Sequence, residues 1–547
     1  MRKFFLAAGL LATIGVGTAA ACTNFIITKG ASTDGSAMVS YAADSHQLYG
    51  ALYKYDAPRK GYRPGTMMPV YEWDTGRYLG DIPQAAHTYS TVGNMNDRQL
   101  IIAETTYGGR PELADPDGGI DYGSLIYITL QRAATAREAI ATIVELANTY
   151  GYASSGESFS IVDKEEAWIF EMIGKGSKIV EGRNVNKGIV WVARRIPDGY
   201  ICAHANQARI TQFPLDDPEN CLYAPDVISF AREMGYYDGS DEDFSFSDVY
   251  APLEFGTMRG CEARVWSFFR TFAPMGYNPE NRMPLWVKPS KKISPKEVFD
   301  AMRDHFEGTP MDMTADIGAG GSACPYRWRP MEWEWEGETY VNERATATQQ
   351  TGFWFVAQAR SYLPDAIGGV LWFGVDDAAT SALTPIYCGT TEVPPCFSEE
   401  NGSLLEYSDT AAFWIFNRVA QFAYLRYNVI GKAVRENVDA WENEMLLKVQ
   451  EFDEKVMHSN MSHNRMIREA TRFSVENAQR LFDRWKTLDR YLMVKYIDGN
   501  VKVENADGFV TNGYSDKIPE TPEWPGYTDE WKEAVVRDHG DVLRVVE

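Results

Sequence analysis

Histidine and cysteine are scarce in this sequence, at seven each in 547 residues. No CxxC pair and no HExxH occurs, so the spacings that build zinc sites are missing and no metal or other cofactor is expected. Seven cysteines are too few for a disulfide framework in so long a chain, and an odd number leaves at least one thiol unpaired in an oxidising compartment. Past residue 21 no apolar run is long enough to cross a bilayer, which argues against helical membrane insertion. Positive charge is also short. With 53 Lys and Arg against 76 Asp and Glu, the formal net charge is -23, which disfavours nucleic-acid and anionic-membrane partners.

What the chain does have begins at its first residues. Arg2 and Lys3, an apolar stretch from Phe4 to Val16 and then Ala19-Ala20-Ala21 form an export signal with a small-x-small cleavage site. Residues 1–21 are therefore expected to be removed, leaving a soluble periplasmic or secreted protein that begins at Cys22. The remainder, 45% hydrophobic and 13% aromatic over the whole chain, is ample for a substantial core.

Short paired strands open this remainder. CTNFIIT and SAMVSYA flank an Asp34-Gly35 turn, a strong hairpin signal. Similar pairs are expected at Ser90–Gly93 with Leu100–Thr105, and at Ser158–Val162 with Ala167–Met172. Capping-box spacing at Thr135 to Glu138 and at Ser294 to Glu297 starts two helices, the second running through KEVFDAMRDHF. PMEWEWEGE is expected to be a surface strand or loop. After a turn-rich joint near residue 390, Ser408 to about Tyr496 carries apolar residues at helical spacing, which predicts two or more long helices. The expected division is a catalytic domain over 22–390 and a helical region over 391–547, an α+β chain overall.

Cys22 is the chemically distinctive residue. An N-terminal cysteine carries its nucleophile and, in its α-amine, a base with a reference pKa near ~8. The amine takes the thiol proton, the thiolate attacks a carbonyl, and the ammonium donates to the leaving nitrogen. Two other readings compete at this position: a lipid-attachment cysteine of a surface-binding lipoprotein and a structural cysteine. Ala19, where lipoprotein signals favour a larger aliphatic residue, and the strand that begins at once without a polar tether speak against the first.

CTNFIITKGASTDGSAMVSYAADSH resembles the start of mature PepD-like dipeptidases, relatives of the choloylglycine hydrolases and penicillin V acylases in the N-terminal-nucleophile superfamily. The likeness continues, in order, through GNMNDRQL with ETTYGGR, AHANQARI and EARVW, and covers most of Cys22 to about residue 390. It implies a four-layer αββα sandwich with added C-terminal helices, and hydrolysis of dipeptides or very short peptides without a cofactor. An acyl-amide hydrolase of the penicillin V acylase or bile-salt type is the alternative within the superfamily. Self-association into a homo-oligomer is compatible with the resemblance.

The resemblance makes Cys22 the nucleophile, Asp44 the carboxylate that orients the amine, Asn96 and Asn206 donors to the oxyanion, and Arg264 an arginine near the nucleophile. Asn94 is read as a turn residue. Glu104 in ETTYGGR is a candidate partner for the substrate's ammonium group, with pairing to Arg110 as its alternative. His46 and His204 fall inside motifs and are expected to be hydrogen-bonded structural residues. One departure stands out: where choloylglycine hydrolases and many dipeptidases have Arg-Asn before the aspartate, this chain has Tyr41-Ala42, a pattern it shares with some secreted dipeptidase-like members and one that argues against a bile-salt substrate.

Overall fold

The computed structural model describes Cys22–Pro279 and Asn281–Val546. The segment expected to be an export signal, residues 1–21, lies outside the described residues. Two large antiparallel sheets organise the chain. Their principal strands are β1 (Thr23–Ile27), β2 (Ala37–Asp44), β3 (Ile101–Thr106), β4 (Glu157–Val162), β5 (Ala167–Gly174), β6 (Ile189–Arg195), β7 (Ile201–His204), β8 (Thr351–Ala359), β9 (Gly369–Val375) and β10 (Thr384–Tyr387). The first sheet runs Trp286–Val287, β7, β1, β2, β8, β9, β10. The second runs Cys221–Tyr223, β6, β5, β4, β3, Met95–Asn96, Thr91–Val92, Lys54–Tyr55.

The β1–β2 hairpin forms as the Asp34-Gly35 signal predicts, with Gly35 at φ 78, a conformation that favours glycine. Both strands are buried throughout because the sheet is covered on both faces, hence the lack of a polar alternate. On one face β1 and β2 contact β3, and β2 also contacts β4, so the two sheets pack against each other there. On the other face Phe25 of β1 stacks on Phe268 at 3.9 Å. The pair around residues 90–105 is a three-strand meander instead of a simple hairpin, because Met95–Asn96 intervenes between Thr91–Val92 and β3. The β4–β5 hairpin matches expectation.

Helices α1 (Tyr122–Arg132) and α2 (Ala136–Tyr150) cover the second sheet. Thr135 caps α2 by accepting from the Glu138 N–H. Helix α3 (Ala263–Phe272) contacts β7 of the first sheet. The Ser294 capping box is complete, but its helix covers only Pro295–Ala301. It stops early because the chain turns inward there: Arg303 and His305 are buried, and Phe306 takes φ 64. Glu332–Trp335 and Glu338–Val341 form an exposed hairpin.

Three long helices follow: α4 (Ala412–Leu425), α5 (Tyr427–Met457) and α6 (His463–Tyr496). Their apolar residues join the same core cluster as β1, β2 and β8–β10, among them Val434, Trp441, Leu481 and Trp485. Glu442 of α5, fully buried, accepts from Arg303 at 2.5 and 3.2 Å and from the Leu383 N–H at 3.1 Å, tying the helix to the sheet. No helix of the described residues is long and apolar enough to cross a membrane. All seven cysteines are free, and only Cys324 is not fully buried.

Candidate active site

Cys22 stands at the entrance to β1, 1% exposed. Its Sγ lies 3.3 Å from Glu104 Oε1 and 3.7 Å from the Tyr41 hydroxyl, and it accepts from the Asp44 backbone N–H. The hairpin register explains part of this grouping. Thr23 pairs with Ala42 and Asn24 with Tyr41, so Tyr41 and Asp44 flank the start of β1. Glu104 arrives from the other sheet, and its own backbone carbonyl accepts from Asn24 Nδ2. Below it, Ser160 joins Asn24 Oδ1 to His204 Nε2, and His204 Nδ1 meets Thr105 at 2.8 Å. This polar chain ties the two sheets together directly beside Cys22.

Arg264 opens α3 after a single π-helical stretch, Met258–Glu262. Such local widening is frequent at functional sites. Phe268, one turn on, stacks on Phe25 and so sets the helix against β1. Arg264 Nη1 donates to the Cys22 carbonyl oxygen at 2.8 Å and to Thr23 Oγ1 at 2.7 Å, while Nη2 donates to Asn206 Oδ1 at 2.9 Å. Asn206 follows β7 at φ 60, a left-handed conformation that asparagine tolerates better than most residues. Its Nδ2 donates to Thr106 O at 2.7 Å.

Asp44 is fully buried at the end of β2. Oδ2 accepts from Arg344 Nη2 and Oδ1 from the Thr351 hydroxyl, each at 2.6 Å. Cys22, Asp44, Glu104, Asn206 and Arg264 are thus assembled at one point. Asn96 is not part of that assembly. Its Nδ2 donates to Leu130 O and Ala133 O, covering carbonyls at the end of α1, and its Oδ1 accepts from the Arg98 and Leu100 N–H groups. With both amide hydrogens committed, Asn96 is a turn and helix-end residue and not an oxyanion donor. Asn94 is likewise a turn residue, donating to Ile102 O. His204 is a buried, hydrogen-bonded histidine, whereas His46 is exposed. Arg110 pairs with Glu112 and not with Glu104.

The sequence reading missed three groups. Tyr41, which stands out in the sequence only as a departure from the resembled pattern, donates to Glu104 Oε1 at 2.6 Å and touches the thiol. Arg344 supplies a guanidinium to Asp44 from 300 residues away, which no local pattern reveals. Glu157, at the start of β4, lies against Glu104. A charged residue opening an otherwise apolar buried strand was the one visible signal for it.

Burial sets the electrostatics. It pushes the Cys22 thiol well up, the Glu104 and Asp44 charges push it further, and the Asp44 N–H and Tyr41 hydroxyl oppose them. The thiol stays protonated until a base removes its proton. Burial also raises Asp44, against the pull of Arg344 and Thr351. Glu104 and Glu157 are both raised by burial. Glu157 is raised further by the charge of Glu104, and the two carboxyls hydrogen-bond each other through a shared proton. Arg264 is brought down to about 10 by burial and then by Arg344.

Among the described residues, the acidic group with metal-like spacing is Asp300, Asp439 and Glu442. Lys296, Arg303 and Arg435 already pair with it, so its charge is met from within the protein. A cavity of about 390 Å³ lined by Thr28, Arg194, Asp198 and Trp286 opens at the far end of β1, and none of the assembled residues lines it. The chemistry lies instead at the Cys22 end.

A buried thiol held between carboxylates and an arginine, at the head of a strand between two antiparallel sheets, fits a peptidase of the cysteine type. A family model described as Peptidase family C69 matches residues 21–440, and the chain belongs to that family. A protein named probable dipeptidase from Salmonella dublin is 26% identical over 419 residues, spanning 72% of this chain and 87% of its own. Dipeptidase A from Lactobacillus helveticus is 23% identical over 446 residues, 78% of this chain and 85% of its own. A probable dipeptidase B from Streptococcus pyogenes serotype M1 is 20% identical over 492 residues, covering 86% of this chain and 93% of its own.

Proposed function

We propose that this chain hydrolyses dipeptides with Cys22 Sγ as the nucleophile, after removal of residues 1–21 during export to the periplasm or beyond. The observation that carries the reading is the position of Cys22. It heads β1, its thiol touches Glu104 and the Asp44 N–H, and its carbonyl is held by Arg264. The family match begins at residue 21, immediately before Cys22, and the relatives named above are called dipeptidases. Two facing sheets with helices against them support a four-layer αββα sandwich of the N-terminal-nucleophile kind, with α4–α6 as an addition.

In this mechanism the free α-amine of Cys22 takes the thiol proton, as the raised thiol requires. The thiolate bonds to the scissile carbonyl carbon while the carbonyl electron pair moves onto oxygen. Asn206 donates to that oxyanion, and Arg264 fixes Asn206 relative to Cys22. The ammonium then gives its proton to the leaving nitrogen, and the C–N bond breaks. Water attacks the thioester, the amine takes its proton, and the thiolate leaves to regain it. Asp44, held by Arg344 and Thr351, orients the amine throughout. No step needs a cofactor.

Intact mass and N-terminal sequencing of the exported protein test the reading directly. A free Cys22 amine, loss of turnover in Cys22→Ala and indifference to EDTA are expected. A diacylglyceryl mass on Cys22, or full activity with a residue retained before it, overturns it.

A further inference from the structure

We propose that Glu104 and Glu157 together form the binding site for the α-ammonium group of the substrate's N-terminal residue. The proposal rests on the dipeptidase reading and adds to it the group that selects an unblocked amino terminus. Three observations lead to it.

The first is distance. In a dipeptide the ammonium nitrogen is two bonds from the attacked carbon, about 2.5 Å away. The attacked carbon approaches Sγ to within about 3.5 Å, and a carboxylate that holds the ammonium comes within about 3 Å of the nitrogen. The acceptor must therefore lie in the immediate surroundings of the thiol. Glu104, with Oε1 at 3.3 Å from Cys22 Sγ, meets this requirement. Asp44 also lies beside Cys22, but Arg344 and Thr351 occupy its two oxygens.

The second is unmet hydrogen-bonding capacity. Glu104 Oε2 and Glu157 Oε1 are fully buried, and apart from the proton that the two carboxyls share they receive no donor from any described residue. The other oxygens are engaged: Glu104 Oε1 by Tyr41 and Cys22, Glu157 Oε2 by Thr106 at 3.0 Å. Register places the pair together, since Thr106 lies opposite Glu157 and Glu104 is two residues back on the same face of the sheet.

The third is charge. Among the described residues no lysine, arginine or histidine forms an ion pair with either glutamate. Asp74, held by the Tyr122 hydroxyl at 2.8 Å, adds further negative charge to the same region. Sharing one proton, the pair carries one net negative charge, the complement of one ammonium. An ammonium also brings three N–H donors to two carboxyls that otherwise have only their shared proton and uncharged neighbours as donors. Two buried carboxyls in contact, without a cation, are costly to keep for structure alone.

The test compares unblocked dipeptides with their N-acetyl forms on the mature wild-type protein and on Glu104→Gln and Glu157→Gln. Wild type is expected to favour the unblocked substrate at least a hundredfold in kcat/KM. Glu157→Gln is expected to raise KM for the unblocked form at least tenfold, to change the N-acetyl form little, and to leave the iodoacetamide labelling rate of Cys22 near wild type. Equal loss for both substrates, or equal wild-type rates on both, overturns the proposal. If the variants do not fold, competitive inhibition of wild type by amino acids and by their N-acetyl derivatives decides. At least tenfold tighter inhibition by the free amine supports the site, and equal inhibition removes it. An active Cys22→Ala would instead defeat the underlying dipeptidase reading, so the two failures are distinguishable.

Discussion

Arg344 and Asp44 are joined at 2.6 Å across 300 residues of sequence, and this pair completes the cysteine site from the segment that precedes β8. Tyr41, three residues before Asp44 on the same strand, serves the thiol and Glu104 and not Asp44. The positive charge that Asp44 requires is therefore delivered by tertiary contact.

Arg344→Met should leave Asp44 buried with only the Thr351 hydroxyl. Burial already raises the Asp44 carboxyl and Arg344 opposes it, so removing the arginine raises it further. The expected outcome is a kcat at least tenfold lower and an acid limb of the kcat/KM profile displaced to higher pH, with partial recovery in Arg344→Lys. A lower kcat with an unmoved acid limb would assign Arg344 to folding alone.

Asn96 and Asn206 should separate cleanly. Asn96→Ala deletes four hydrogen bonds at the end of α1 and its neighbouring turn, and is expected to cost about 2–4 kcal/mol of stability while kcat per folded molecule holds. Asn206→Ala is expected to lower kcat by about two orders of magnitude with a smaller change in Tm. Urea unfolding alongside kinetics on both variants checks the pair.

His204 predicts an acid sensitivity. Burial and then Arg209 lower its pKa from an ordinary 6.5 to about 3. The unfolded chain therefore binds a proton in this window that the folded protein refuses. Stability is fully present above 6.5 and falls as pH drops towards 3, by up to about 1.4 kcal/mol per pH unit from this residue. Urea midpoints from pH 7.5 to 4.5 should fall less steeply for His204→Gln than for wild type. Parallel slopes would show that other groups govern acid unfolding.

Glu442→Gln tests the attachment of the C-terminal helices. It removes the buried one of the two carboxylates that pair with Arg303, leaving Asp300, and a cost of up to about 3 kcal/mol is expected, the low end for the loss of one member of a buried pair. A fall in Tm together with faster proteolysis within α4–α6 is expected. An unchanged Tm would mean that apolar packing at Trp441 and Trp485 carries the attachment unaided.

The local elements were legible in the sequence because short-range chemistry determines them. Asp34-Gly35 sets the β1–β2 turn, Thr135 and Ser294 start their helices, and the 3.6-residue spacing after Ser408 yields α4–α6. Ordered motifs likewise pointed to Cys22, Asp44, Asn206 and Arg264, which converge. Asn96 misled because an asparagine in a motif reads alike whether its amide faces a substrate or the end of a helix. That choice depends on the last turn of α1, where Leu130 lies 34 residues further along the chain.

By itself, then, the sequence determined the hairpins, the helix starts, Cys22 as the residue proposed for the nucleophile and the family to which the chain belongs. Only tertiary structure decided which charges meet. The Tyr41–Glu104 bond, the Glu104–Glu157 pair and the Arg344–Asp44 bridge each join residues from separate strands or loops. Sheet register and sheet-on-sheet packing bring those residues within reach, and burial in the low-dielectric space between them makes the meetings matter.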